Sequence, residues 1–549
     1  MRKKMAAGAA AAAVVMAVLL AARTANDHES GDIKEFTAFF DVSENEINEG
    51  NEIMELIAQK IGARCREQWL VGKSAEDAIA GFIASGEYTD FISGSVALYD
   101  AGALVPIDQY WDNCPNIKNL MPAQKWEQFR QSDGHIYWIP QFGVVHGRSV
   151  EVLHEGEAFW IQTRVLKWAD YPDIRTIDEY FALLEAYAAE NPVMKDPFHP
   201  GEEMDNIPFT VLCDDWRYFC LENPPQFLDG YPNDGSCIVD EETMTVLDYN
   251  TSETARRYFK KLNEEYHKGI VDQEFFTQNY QEYLQKLASG RVLGMVDQWW
   301  QFAYAVNGTL EIMSDQGCGY VPLPVTIDRS VENQWHVKRG AELSAANGIS
   351  ITVSCEDVEG AMKFINDLLD EEIIKLRYWG VEGEDYNVYE NGVYYRTPEQ
   401  RAAARNPEYS SARFCMYPYF PRTEGMLSDG INAFSPEYQP GEFFDALVPD
   451  VKECLLAYGC KSYVDMLGTN EEPGPWYPMY SYSEMLSSES EAGRVWEQMN
   501  RVKREYLPRI IMTDDFDGMW KQYMEDYEFC QPEIFLAEMQ KELEHRNMP

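Results

Sequence analysis

Basic side chains are scarce in this chain. Against 92 Asp and Glu, its 549 residues carry 46 Lys and Arg, a formal net charge of −46. So acidic a surface repels phosphate backbones and anionic lipid headgroups, which argues against nucleic acid as a partner. Long apolar runs are also missing, and past residue 22 none is long enough to cross a bilayer. The eleven cysteines are dispersed, odd in number and never spaced as CxxC, so they outline neither a disulfide framework nor a zinc site. Eight histidines show no ligand-like spacing. There is no serine nucleophile elbow, no phosphate-cradling glycine loop and no dinucleotide fingerprint. These absences leave no expected catalytic group, metal or cofactor.

Aromatic residues are plentiful: 14 Trp, 33 Tyr and 26 Phe argue for packed cores despite the charge. The length gives room for two or three domains' worth of core. At the N-terminus, Arg2, Lys3 and Lys4 precede an uncharged stretch from Met5 to Ala22 and then a polar, acidic segment. This reads as a secretion signal over residues 1–25, with a membrane anchor as the alternative.

From residue 33 the pattern alternates. Phe36 to Phe40 reads as a strand. Ile53, Met54, Ile57 and Ile61 then mark a helix stopped by Gly62. Arg64 to Val71 is a second strand, Ser74 caps the next helix, and Tyr88 to Ile92 leads into Ser93. Strand, helix, strand, helix, strand opens a parallel α/β sheet, in which ligands sit beyond the carboxyl ends of the strands. Asp41 and Ser93 are placed there. Further strands are expected over residues 134–140, 158–162, 207–212, 320–325 and 348–353. Thr176 to Glu179 forms a capping box, and residues 252–267 and 356–370 are amphipathic helices. After Thr397 the pattern turns helical and aromatic.

The most informative stretch is Ala288 to Trp300, ASGRVLGMVDQWW. A buried strand there delivers Asp297, Gln298, Trp299 and Trp300 to its own end. Indole faces take the C–H face of a sugar ring, and the carboxylate and amide serve its hydroxyls. The same residues at a strand end also serve as a rim of core packing. Asp214-Asp215-Trp216 repeats the motif after residues 207–212. Adjacent strand residues point to opposite faces, so Asp214 and Asp215 are not themselves the acid pair of a glycoside hydrolase. Asp515 to Gly518 lacks the alternating ligands of a calcium loop.

Several stretches in order resemble the extracellular sugar-binding proteins of bacterial ABC importers, in the lipoprotein-type subgroup for uronates and other oligosaccharides. They are Tyr88 to Ile92 with Asp100 to Ile107, Ser132 to Pro140, Phe159-Trp160-Ile161 with Val165-Leu166-Lys167, Ala288 to Arg291, and Trp379 to Tyr386. The resemblance implies an α/β, two-lobe periplasmic-binding-protein-like (type II) fold with a hinge, an interlobe cleft and helical C-terminal additions. It places residues 33–150 plus 297–370 in lobe 1 and 151–296 plus 371–549 in lobe 2. The implied function is extracytoplasmic capture of an oligosaccharide for an ABC permease by a monomer. A secreted hydrolase and a surface glycan sensor or adhesin on the same fold are the alternatives. The candidate ligand-binding residues are Asp41, Ser93, Gln141, Trp160, Asp215, Trp216, Asp297, Trp299, Trp300, Trp379 and Tyr419, with Tyr417 as a companion to the last. Lys338 and Arg339 are weaker candidates for a uronate carboxylate. Two features depart from the family. Arg23 stands where a lipoprotein signal has its acylated cysteine, which puts lipid anchoring in doubt, and His199 to Asn206 lacks the ligands of the calcium loop many relatives carry.

Overall fold

A computed structural model describes residues 33–42, 50–147, 152–154, 156–332, 343–468 and 474–547. The segment read as a signal, with Arg23, and the cations Lys338 and Arg339 lie outside the described residues.

Strand β1 (Lys34–Phe40) buries Phe36, Ala38, Phe39 and Phe40 and pairs in parallel with β2 (Ala63–Trp69) and β3 (Phe91–Gly94). The connections are helices α1 (Glu52–Ile61) and α2 (Ala75–Ser85). Asn51 and Ser74 cap their first turns, and Gly62 and Gly86 end them in the left-handed region that favours glycine. The short β4 (Trp138–Ile139) completes this part of the first sheet.

The second sheet begins with β5 (Glu157–Gln162), buried along its whole length. Helix α3 (Ile177–Glu190) follows, held by the expected capping box at Thr176 and Glu179. Then come β6 (Ile207–Val211), α4 (Glu253–His267), α5 (Tyr280–Ala288), β7 (Val292–Gln298), α6 (Trp299–Ile312) and β8 (Tyr320–Leu323). The order is β8-β5-β7-β6, with β7 parallel to β6 and antiparallel to β5. The apolar run Val292 to Val296 is buried on both faces, as a central strand requires.

The chain then returns to the first sheet, where β9 (Gly348–Ile351) runs antiparallel between β3 and β4, followed by α7 (Val358–Leu368) and α8 (Glu371–Tyr378). Helix α8 straddles the two hydrophobic cores: Ile373 packs into the first and Ile374 into the second. The C-terminal part contributes α9 (Tyr480–Ser483), α10 (Glu491–Met512), α11 (Phe516–Phe529) and α12 (Pro532–Arg546). The last three pack on one another, and α10 also packs on α4. No helix of the described residues is long and apolar enough to cross a membrane.

The two sheets correct the expected division of the chain. Residues 297–370 were assigned to the first unit, yet β7 runs unbroken through Asp297, and α6 and β8 follow in the same layer. The second core continues to Ile327, and the first resumes at Leu343. Nor does 371–549 belong wholly to the second unit, because Cys415, Tyr417 and Phe420 pack into the first core. Between the cores, Val145–His146 pairs in parallel with Glu424–Gly425. Beside that ladder Arg377, fully buried, donates five hydrogen bonds of 2.9–3.0 Å to the carbonyls of Met416, Leu368, Pro421, Tyr417 and Phe420.

Candidate functional site

Both sheets carry a polar and aromatic group at the carboxyl ends of their parallel strands, where an open α/β sheet presents ligands. In the first, Asp41 follows β1, Trp69 ends β2 and Ser93 lies near the end of β3. The Asp41 backbone N–H donates to Ser93 Oγ at 3.3 Å. Burial pushes the Asp41 carboxyl up, opposed by its hydrogen bond with Ser93. Tyr419, half-buried, meets Phe40 at 5.5 Å, Trp69 at 5.4 Å and the exposed ring of Phe142 at 5.7 Å. Gln141 donates its amide to the Tyr419 carbonyl at 2.5 Å and so holds that segment in place. Arg422 lies 4.8 Å above the Phe142 ring and pairs with Glu424 at 2.9 Å.

In the second sheet, the chain leaving β6 reaches Asp214, Asp215 and Trp216, and the chain leaving β7 reaches Trp299 and Trp300. Because β6 and β7 are parallel neighbours, the two exits lie side by side. Trp216 and Trp300 stack with centroids 5.9 Å apart and ring planes 12° from parallel. Both are half-buried, so each indole keeps surface open to solvent. Asp214 accepts the N–H of Tyr280 at 2.9 Å. Asp215 adopts φ 52° and its half-buried carboxylate has no hydrogen bond or ion pair among the described residues. The Arg217 guanidinium lies over Trp216 at 4.5 Å and over Tyr280 at 3.8 Å, which stiffens the platform.

Five expected contacts are core residues instead. Trp160 has no exposed surface and donates its indole N–H to the Asp297 carbonyl at 2.8 Å. Trp379 is equally buried, donating to the Ala433 carbonyl at 3.0 Å against Tyr386 and Tyr394. Asp297 accepts from Tyr283 Oη at 2.5 Å, Gln301 Nε2 at 2.7 Å and the Gln298 N–H at 2.7 Å, and burial pushes its carboxyl up to about 7. It fastens the start of α6 and reaches no solvent. Trp299 is 7% exposed, with its ring edge-on to Tyr304, and Tyr417 is buried with its hydroxyl accepting the Cys65 N–H. Nearest-neighbour spacing does not distinguish these from Trp216 and Trp300. What separates them is burial, because Trp160 lies mid-strand, Trp379 follows the helix α8, and only Trp216 and Trp300 combine a strand exit with exposed surface.

Asp196 brings a ligand-type atom within 4.8 Å of those of His199 and Glu202, two residues of the segment compared above with a calcium loop. Asp196 already accepts the N–H groups of Phe198 and His199 and pairs with the His199 ring at 2.9 Å, which is the work of a turn.

Residues 76–380, more than half the chain, match the family model for a bacterial extracellular solute-binding protein. The chain belongs to that family. The match runs from α2 to the straddling helix α8, and so includes strands of both sheets. Among curated proteins, this solute-binding protein is similar to the fructooligosaccharide ABC transporter substrate-binding protein FusA of Streptococcus pneumoniae serotype 4, 25% identical over 305 residues. That alignment covers 53% of this chain and about half, 51%, of the relative's length. Among solved structures, S. pneumoniae FusA in complex with kestose superposes with a TM-score of 0.63 at 19% identity, covering 93% of this chain and 99% of that one. The alginate-binding protein AlgQ2 superposes at 0.61 with 14% identity, covering 94% and 99%. At such identities the structural likeness establishes the two-lobe fold.

Proposed function

We propose that this protein is the extracytoplasmic substrate-binding component of an ABC importer, capturing an oligosaccharide between its two lobes and delivering it to a membrane permease. It works by binding alone and as a monomer. One observation carries the reading: each sheet ends in its own group of aromatic rings and polar side chains, Trp216, Trp300 and Asp215 on one side, Tyr419, Trp69, Asp41 and Ser93 on the other. Stacked indoles offer flat apolar faces to sugar C–H groups, and the unpaired carboxylate of Asp215 beside them accepts hydroxyls. Relatives whose names specify fructooligosaccharide or alginate support the ligand class.

The energetics suit a receptor that must release its cargo. Micromolar binding requires about −8 kcal/mol. Two or three platforms at about 1 kcal/mol each and several hydrogen bonds at about 1 kcal/mol net supply much of that. The test is isothermal calorimetry of the intact protein against a panel of oligosaccharides, with chromatography of the same mixtures. Saturable binding without new products is expected. Cleavage products would replace the receptor reading with a hydrolase.

A further inference from the structure

In a chain with 92 acids to 46 bases, a half-buried arginine is normally held by a carboxylate or a carbonyl. Among the described residues, Arg217 and Arg291 are the half-buried arginines whose side chains make no hydrogen bond or ion pair. Arg291 stands before β7, at the amino end of the sheet. Arg217 follows β6 at the carboxyl end, where the chains leaving β6 and β7 lie side by side.

What holds Arg217 there is aromatic. Its guanidinium carbon lies 4.5 Å over the Trp216 ring and 3.8 Å over that of Tyr280. Tyr280 is itself fastened at both ends, its N–H donating to Asp214 Oδ2 at 2.9 Å and its hydroxyl to the Gln301 carbonyl, in the first turn of α6, at 2.5 Å. The rings stabilise the charge but satisfy none of its N–H groups. Nε is sealed from solvent with no acceptor, while Nη1 and Nη2, also without partners among the described residues, remain open. Asp215, two residues back, forms no ion pair with it. A guanidinium fixed in this way presents a rigid two-pronged donor edge. Its match is a pair of oxygens spaced to that fork.

Resting on the sugar-receptor reading above, we propose that Arg217 is a ligand-contacting, specificity-determining residue whose Nη edge donates to two adjacent oxygens of the sugar seated at Trp216 and Trp300, supplied by vicinal hydroxyls or by a uronate carboxylate. Asp215 takes hydroxyl protons beside it. The platform then reads donors and acceptors on the ring's edge, and a sugar stripped of either oxygen loses its hold on the fork.

The experiment screens the intact protein against neutral oligosaccharides and oligogalacturonates, then measures the tightest binder by calorimetry beside its monodeoxy or carboxyl-reduced analogues. The parent should bind at least one analogue at least tenfold more weakly than the intact sugar. Arg217→Met should bind the intact sugar at least tenfold more weakly than the parent and should no longer distinguish it from that analogue, with the thermal midpoint within a few degrees of the parent's. Arg217→Lys, which keeps the charge without the fork, should recover only part of the loss. Salt tells the two sources apart: raising NaCl from about 50 to about 500 mM weakens a carboxylate held by the guanidinium and leaves a neutral diol unchanged. Arg217→Met binding like the parent, either variant keeping the parent's discrimination between sugar and analogue, or Arg217→Lys matching the parent on every sugar would overturn the contact while leaving the receptor reading in place. Failure of the parent protein to bind any sugar would overturn both.

Discussion

Replacing Trp300 with alanine should separate binding from folding in this protein. The half-buried indole of Trp300 stacks on Trp216, while its neighbour Trp299 is 7% exposed and packs into the second core. Losing one sugar platform removes about 1 kcal/mol of binding, about a fivefold rise in Kd. Losing Trp216 as well removes about 2 kcal/mol, about thirtyfold if the rings act independently. They do not act independently, because each fixes the other's plane. A double-mutant cycle should therefore show coupling, with the second substitution costing less than the first. Trp299→Ala should instead cost about 3–5 kcal/mol of stability, the range for emptying a buried tryptophan site. Calorimetry with a sugar found by the panel, paired with urea unfolding, measures both quantities. Binding unchanged in Trp216→Ala and Trp300→Ala, with the loss confined to Trp299→Ala, would refute the assignment of the stacked pair to the ligand.

Arg377 makes five hydrogen bonds to backbone carbonyls and has no ion-pair partner among the described residues, so Arg377→Met would orphan buried acceptors and destabilise the protein by at least about 3 kcal/mol in urea unfolding. It should also weaken sugar binding, since four of those bonds hold the segment carrying Tyr419, and an unperturbed Kd in folded Arg377→Met would deny that segment a place in the site. The raised acids Asp297, at about 7, and Asp234, at about 6, bind protons in the folded protein that the unfolded chain, with carboxyls near 4, has lost. Their contribution to stability therefore falls as pH rises from about 4 through 7, and the thermal midpoint should climb on acidification from pH 8 to pH 5. Asp297→Asn should flatten that climb, and a midpoint that falls over the same window in the parent protein would contradict the sign.

Local patterns carried most of the architecture. The aromatic run before Asp41, the helix stopped by Gly62, the cap at Ser74 and the capping box at Thr176 are all decided within a few residues of chain, and each stands where periodicity and cap chemistry put it. The course of the chain between the cores was not legible. An all-apolar strand such as Val292 to Val296 says that it is buried and is silent about which sheet buries it, so the return to the first core was expected about thirty residues too early. Composition likewise singled out tryptophan and acid near the strand ends, yet could not tell a ring open to solvent from one facing inward. Trp160, Asp297 and Trp379 read like Trp216 and Trp300 until burial separates them. Trp69 and Phe142 were missed although Trp69 ends a strand by the rule that selected Asp41.

The most direct test of the account is a crystal structure of the intact protein with an oligosaccharide identified by the binding panel. The account predicts one sugar chain touching both strand-end groups at once, with a ring over the Trp216 and Trp300 pair and hydroxyls within hydrogen-bond reach of Asp215 on one side and Asp41 on the other. A sugar bound to only one of the two sheets, or bound away from both groups, would contradict it.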